Sequence, residues 1–286
     1  MADADQAETA GIPQAQYLAP EVVLLEMGEA GAKRSMSLSA LQVMILAIMA
    51  GAFITAGALF STLIAAGYEN EATQRLLEGF GFSVGFFLVI LSGCLLFTEV
   101  NVELPATLLN RNLSALRSSV FRLWILAFIG NFIGAFVLGA LINYIQSYGD
   151  DYEELLTEVV AAKLRYKEIG GFEGFFQAML SGVVANWLVG MAAFLATMGR
   201  TILGKYIVVL LTVMVFVAGG FLHSPANMGY FSLFIPLGTG LSWGDAIAWG
   251  IIPAAIGNVL GAFFLVALPF LVASSHFRDK ADQVDA

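Results

Sequence analysis

The chain has 286 residues, of which 59% are hydrophobic and only 12% charged, and its mean hydropathy is +0.82. A soluble domain carries about a quarter charged residues, so the composition argues against a soluble enzyme or binding module. The formal charge of −9 argues against the basic surface that nucleic-acid binding requires, and a single cysteine, Cys94, rules out an intrachain disulfide.

The first segment, 1–35, is acidic and lacks the apolar core of a signal peptide, so it reads as a cytosolic tail. A short surface helix is predicted in it around "PEVVLLEMG". Six apolar spans follow, within a single membrane domain at 36–275, each long enough to cross the roughly 20-residue hydrocarbon layer. The first covers about 36–67. The second, about 80–110, is interrupted near Thr98, and the third covers about 118–146. The fourth is 172–197, the fifth 205–236 with an interruption near His223, and the sixth 245–275. Residues 276–286, with His276 at their start, read as a cytosolic tail.

Loop charges support this count. With the N-terminus inside, nine Lys and Arg lie on the cytosolic side (Lys33, Arg34, Arg111, Arg117, Arg122, Arg200, Lys205, Arg278 and Lys280). Four lie outside: Arg75, Lys163, Arg165 and Lys167. The expected location is the cell (inner or plasma) membrane, with both termini cytoplasmic.

An internal repeat runs through the spans. "GNFIGAFVL" at 130–138 matches "GNVLGAFFL" at 257–265, an offset of 127 residues. The same offset lays "GCLLFTEVN" over "GFLHSPANM", so the two interruptions are equivalent. Two halves of three spans each imply inverted repeats with paired broken helices, a transporter and channel architecture. The fold class is therefore all-α and polytopic. The GxxxG spacings at Gly130–Gly134 and Gly257–Gly261 suit close helix approach.

In hydrocarbon an unpartnered backbone group costs several kcal/mol, so a broken span must line a cavity or be wrapped in protein. Pro225 fits the first turn of a restarted helix, with Ser224 as its N-cap, and Thr98 is the matching cap in span two. Two half-helix N-termini aimed at the midplane would favour a small anion without any fixed positive charge. His223 then stands at the centre, where a dry cavity keeps its ring neutral and a nearby anion favours its protonation.

These residues resemble the formate/nitrite transporter family. The resemblance rests on "LFT" at 96–98, "NWLV" at 186–189, "MVFVAGGFLHSPANM" at 214–228 and "IPAAIGN" at 252–258. It implies an aquaporin-like protomer, a homopentamer with one pore per protomer, and transport of small monovalent anions together with protons. Carried over by position, it implies a path past His223, Thr98, Asn186, Ser224 and Asn227. It implies hydrophobic constrictions at Phe82, Phe86, Leu96, Phe97, Phe216 and Leu222. Lys167 is the residue nearest to the family's lysine before the fourth span. The sequence departs from the family at Leu95 and Leu222, where acids are often found. Glu99 and Glu103 either complement the helix dipole or line an inner vestibule, and Pro105 should kink that half-helix. No cofactor is implied, and nucleotide-binding, metal-site and GxSxG motifs are missing from the sequence, as is the aquaporin Asn-Pro-Ala box. The partners expected are small anions, protons, membrane lipid and further copies of the chain. The competing reading is a passive, aquaporin-like pore for neutral solutes or undissociated weak acids.

Overall fold

A computed structural model describes residues 17–106 and 113–273. The outermost N-terminal residues, Arg111, His276 and the remainder of the C-terminal tail lie outside the described residues. Ten helices follow in order among those described: α1 (Pro20–Ser37), α2 (Ala40–Ala65), α3 (Glu71–Ser92), α4 (Phe97–Ala106) and α5 (Leu113–Ile145). Then come α6 (Asp150–Ile169), α7 (Gly171–Met198), α8 (Ile202–Ala218), α9 (Ser224–Phe234) and α10 (Trp243–Ala273).

Five of these, α2, α3, α5, α7 and α10, are long and apolar enough to cross a membrane, and α8 is a shorter apolar helix of 17 residues. Both predicted interruptions fall between helices, the first between α3 and α4 and the second between α8 and α9. Polar caps start several of the helices. Ser39 and Gln42 form a reciprocal capping box on α2, and the Asn70 and Thr201 side chains accept the first free N–H groups of α3 and α8.

Two helix pairs pack along most of their length, α2 with α5 and α7 with α10. Both contacts run through the repeated glycines. A Cβ on Gly134 would collide with the Ile48 carbonyl, and one on Gly261 with the Val183 carbonyl. The small residues let backbones touch where lipid supplies no hydrophobic drive for helix association.

Two expectations need correction. The helix near the N-terminus is longer than a surface strip, for Val23, Leu24 and Met27 are buried and α1 lies against α4, α5 and α7. Its apolar stripe is bound up with the bundle through its contacts with α4, α5 and α7. Pro105 lies inside α4, as expected from the sequence. The caps of the two half-helices also differ from prediction, as described next.

Candidate functional site

Each interruption begins with a left-handed glycine, Gly93 at φ 67° after α3 and Gly220 at φ 65° after α8. Such a backbone turns the chain sharply at a position where a side chain would be strained. Each break is then tied down by an asparagine from a long helix later in the chain. Asn131 on α5 accepts from the Phe97 N–H at 2.8 Å and donates to the carbonyls of Leu95 (2.9 Å) and Ala47 (2.8 Å). Asn258 on α10 accepts from the Ser224 N–H at 2.8 Å and donates to the carbonyls of Leu222 (3.1 Å) and Gly182 (2.8 Å). Phe97 and Ser224, and Leu95 and Leu222, are related by the 127-residue offset, as are the two asparagines. These contacts satisfy the backbone that the breaks expose.

The predicted caps are thereby corrected. Ser224 is no cap, for its hydroxyl donates to Asn258 Oδ1 at 2.8 Å. The cap of α9 is His223, whose Nδ1 accepts from the Ala226 N–H at 3.3 Å. Thr98 lies inside the first turn of α4, whose leading N–H is taken by Asn131. Tertiary partners replace local ones because an asparagine on a neighbouring helix satisfies a donor and an acceptor at once.

The His223 geometry settles its tautomer. Nδ1 receives a backbone N–H, so it carries a lone pair, and the neutral ring holds its proton on Nε2. Nε2 stands 2.8 Å from Thr98 Oγ1 and donates to it. His223 and Thr98 are both buried, and they join the N-terminal ends of α9 and α4. Two helix dipoles of the same sign therefore point at one spot, together with a hydroxyl and an imidazole. Asn186 on α7 bridges beside them, donating to the carbonyls of Thr98 (3.3 Å) and Asn258 (2.7 Å), while its Oδ1 is buried and unpartnered. Asn227 donates to the Gly250 carbonyl at 2.7 Å, next to a π-helical turn of α10.

An aromatic layer adjoins this centre. The Phe216 ring lies 5.3 Å from the His223 ring and meets Phe82 edge-on at 5.6 Å. Tyr230 stacks on Phe82 at 6.0 Å. On the other side of the layer is a cavity of about 260 Å³ lined by Phe82, Phe216 and Tyr230 together with Glu78 and Lys163. Phe82 and Phe216 thus stand between the cavity and His223. Tyr230 was not singled out by sequence, although it lies seven residues after His223 and so on the same face of α9. Phe86 and Leu96 are buried in the main core, whereas Phe97 packs on Phe128 and Leu222 on Tyr166, Ala178 and Ala254. These four residues do not line the cavity.

Lys167 does not line the cavity either; it pairs with Asp245 at 2.9 Å near the surface. The lysine that lines the cavity is Lys163, one helical turn earlier on α6. Its Nζ lies 4.8 Å from the centre of the Tyr230 ring, and the residue is only 8% exposed. Burial pulls this ammonium down to about 8, with Glu78 acting against the shift and Arg165 adding to it. At the opposite end, Arg34 of α1 reaches Glu103 at 2.7 Å and Glu99 at 3.5 Å. Burial opposes the charge of Arg34, but Glu103 and Glu99 outweigh it and hold the guanidinium protonated. Glu99 and Glu103 therefore fix the N-terminal helix to α4, a role that neither sequence reading contained.

The sequence pattern of the formate/nitrite transporter family matches residues 21–272. The chain belongs to the formate/nitrite transporter family. Within it, a probable formate transporter of Methanothermobacter thermautotrophicus is 28% identical over 79% of this chain and 86% of its own. The uncharacterized transporter YrhG of Bacillus subtilis is 30% identical over 88% of this chain and 92% of its own. The formate channel FocA of Escherichia coli K12 is 27% identical over 79% and 84%. Among solved structures, a pentameric formate channel with formate bound superposes with a TM-score of 0.68 at 24% identity, covering 85% of this chain and 98% of that one. An FNT family ion channel gives 0.72 at 18% identity, over 89% and 98%. Family membership makes this chain a multi-pass membrane transport protein and not an enzyme.

Proposed function

We propose that the chain passes small monovalent anions of the formate, nitrite, hydrosulfide or short-chain carboxylate class across the cell membrane, linked to a proton at His223. It does so as a homopentamer with one pore in each protomer and with both termini cytoplasmic. The N-terminal helix belongs to the cytosolic side, residues 36–275 form the membrane domain, and α6 with its cavity faces outward. The observation that carries the reading is the buried Nε2–H···Oγ1 contact of 2.8 Å between His223 and Thr98, where two half-helix N-termini meet. The names of the relatives and of the solved pentameric channel favour the same substrate class.

In the proposed passage, an anion is drawn into the outer cavity by Lys163 and meets the Phe82–Phe216 layer. A bare ion is costly to hold in such an apolar layer, and a neutral acid is cheap. Beyond the layer, Thr98 and the two helix ends offer donors to the anion. The resting ring cannot act as a strong acid, because its single proton is that of a neutral imidazole. Protonation at Nδ1 displaces the Ala226 N–H from its only acceptor, so charging the ring and loosening the α9 cap are the same event. An anion beside Nε2 offsets that cost and accepts the Nε2 proton, moving on as a neutral acid. The proton taken from water at Nδ1 stays on the ring, and losing it to water while Nε2 regains one restores the resting tautomer and the α9 cap.

Flux of labelled formate into proteoliposomes tests this. Uptake is expected to rise as the outside pH falls, and His223→Phe to reduce it at least tenfold and flatten its pH dependence. Flux indifferent to both changes contradicts the proposal. A passive pore for undissociated acids is favoured by one observation, the outer cavity's three carboxylates (Glu71, Glu78, Glu158) against two cations (Arg75, Lys163). That pore keeps its flux in His223→Phe and passes water or glycerol in stopped-flow light scattering.

A further inference from the structure

The outer cavity holds two opposite charges that do not meet. Glu78 and Lys163 both line it, on α3 and α6. Among the described residues, neither the Glu78 carboxylate nor the Lys163 ammonium makes a hydrogen bond or an ion pair. The other charges of the cavity are accounted for. Arg75 pairs with Glu71 at 2.8 Å and donates to the Ala218 carbonyl at 3.0 Å, and Glu158 is solvent-exposed. Lys163 is more than nine-tenths buried, and its ammonium rests on the Tyr230 ring without a hydrogen-bond acceptor among the described residues.

The Glu78 backbone and the Lys163 ammonium are both tied to Tyr230. Tyr230 donates from its hydroxyl to Ser61 Oγ at 3.1 Å, and Ser61 donates to the Glu78 backbone carbonyl at 2.8 Å. The same Tyr230 ring carries Lys163 on its face. Glu78 lies one helical turn before Phe82 on α3, which places its carboxylate at the cavity side of the aromatic layer. A molecule in the cavity therefore meets a cation without an anionic partner and a carboxylate without a donor. The cavity, about 260 Å³, holds a two- or three-carbon acid with a few waters of roughly 30 Å³ each.

We infer that Glu78 is a specificity-determining residue of the outer cavity, accepting a hydrogen bond from the hydroxyl of a small hydroxy-monocarboxylate whose carboxylate pairs with Lys163. A plain carboxylate satisfies Lys163 and leaves Glu78 facing an alkyl group. A second carboxylate on the ligand is repelled by Glu78. A hydroxyl is the neutral group that satisfies the acceptor and still leaves a monoanion, the charge that one proton at His223 neutralises. This inference rests on the proposed anion transport.

The test is competition against formate flux at pH 7, using glycolate and propionate, which match in size and charge and differ in the hydroxyl. A hydrogen bond to a charged acceptor is worth roughly tenfold or more in affinity. In wild type, glycolate is expected to half-inhibit formate flux at about one-tenth the propionate concentration. Glu78→Gln keeps a weaker, neutral acceptor, so the ratio should fall to roughly threefold. Glu78→Leu should bring it to about one. Each variant's formate flux and pentameric elution verify that it is folded. Equal inhibition by the two acids in wild type overturns the inference, as does a preference for glycolate that survives Glu78→Leu. So does stronger competition by glycine, whose ammonium would mark the cavity as a zwitterion site. Absent formate flux in wild type overturns the transport reading instead.

Discussion

Replacing Asn258 by alanine removes the group that holds the second break together. Its side chain makes four hydrogen bonds: from the Ser224 N–H and hydroxyl, and to the carbonyls of Gly182 and Leu222. All of these groups are buried, so alanine leaves them without partners. Interhelical hydrogen bonds in membranes average about 0.6 kcal/mol, and stranding a buried polar group costs about 1–3 kcal/mol. Taking about 1 kcal/mol for each bond, Asn258→Ala destabilises by about 4 kcal/mol. Asn186 makes two bonds, one of them long at 3.3 Å, so Asn186→Ala should cost only about 1–2 kcal/mol. The two losses are separable, since the Asn258 group that Asn186 contacts is the backbone carbonyl, which alanine retains. At about 2–4 °C per kcal/mol, the thermal midpoint in detergent should fall by roughly 10 °C for Asn258→Ala and roughly 4 °C for Asn186→Ala. Below its midpoint, Asn258→Ala should also lose formate flux, because the same bonds position the residues on either side of His223. An Asn258→Ala protein as stable as Asn186→Ala, or one with unchanged flux, refutes the clamp.

Three further outcomes are expected. Lys163 is about nine-tenths charged at pH 7 and about one-tenth at pH 9 if it titrates near 8. The flux advantage of wild type over Lys163→Met should therefore be present at outside pH 7 and vanish by pH 9; an advantage constant across that range removes Lys163 from anion recruitment. Arg34→Ala strands two carboxylates that together contact one guanidinium, a change of about 3–5 kcal/mol for a buried pair. It should expose α1 to trypsin at Lys33, with protection restored in the Arg34→Met/Glu99→Gln/Glu103→Gln triple variant; equal protection without that restoration of charge balance speaks against the anchor. Gly134→Leu should prevent pentamer recovery altogether, since its side chain meets the Ile48 backbone, and normal elution on size exclusion would show that the α2–α5 contact yields.

The breaks were legible in the sequence because their causes are local. A proline, a glycine able to adopt positive φ and an isolated histidine inside an apolar run each violate the pattern of a continuous span, and the 127-residue repeat pairs the violations. The identity of the central pair, His223 and Thr98, was readable for the same reason. The partners were not. Ser224 and Thr98 are good caps in isolation, yet the donors at the two breaks go to Asn131, Asn258 and the His223 ring, which lie up to 34 residues away or depend on a ring rotamer. Lys163 and Lys167 sit one turn apart on α6 and carry the same charge, so spacing alone could not choose between them. Packing did, by burying Lys163 on Tyr230 and leaving Lys167 to pair with Asp245. Glu99 and Glu103 likewise acquired their meaning only when α1 brought Arg34 across. Hydropathy and backbone restrictions are properties of neighbouring residues along the chain, and they determined where the helices run and where they stop. Which polar group satisfies which depends on distances between helices, and only the tertiary structure decided that.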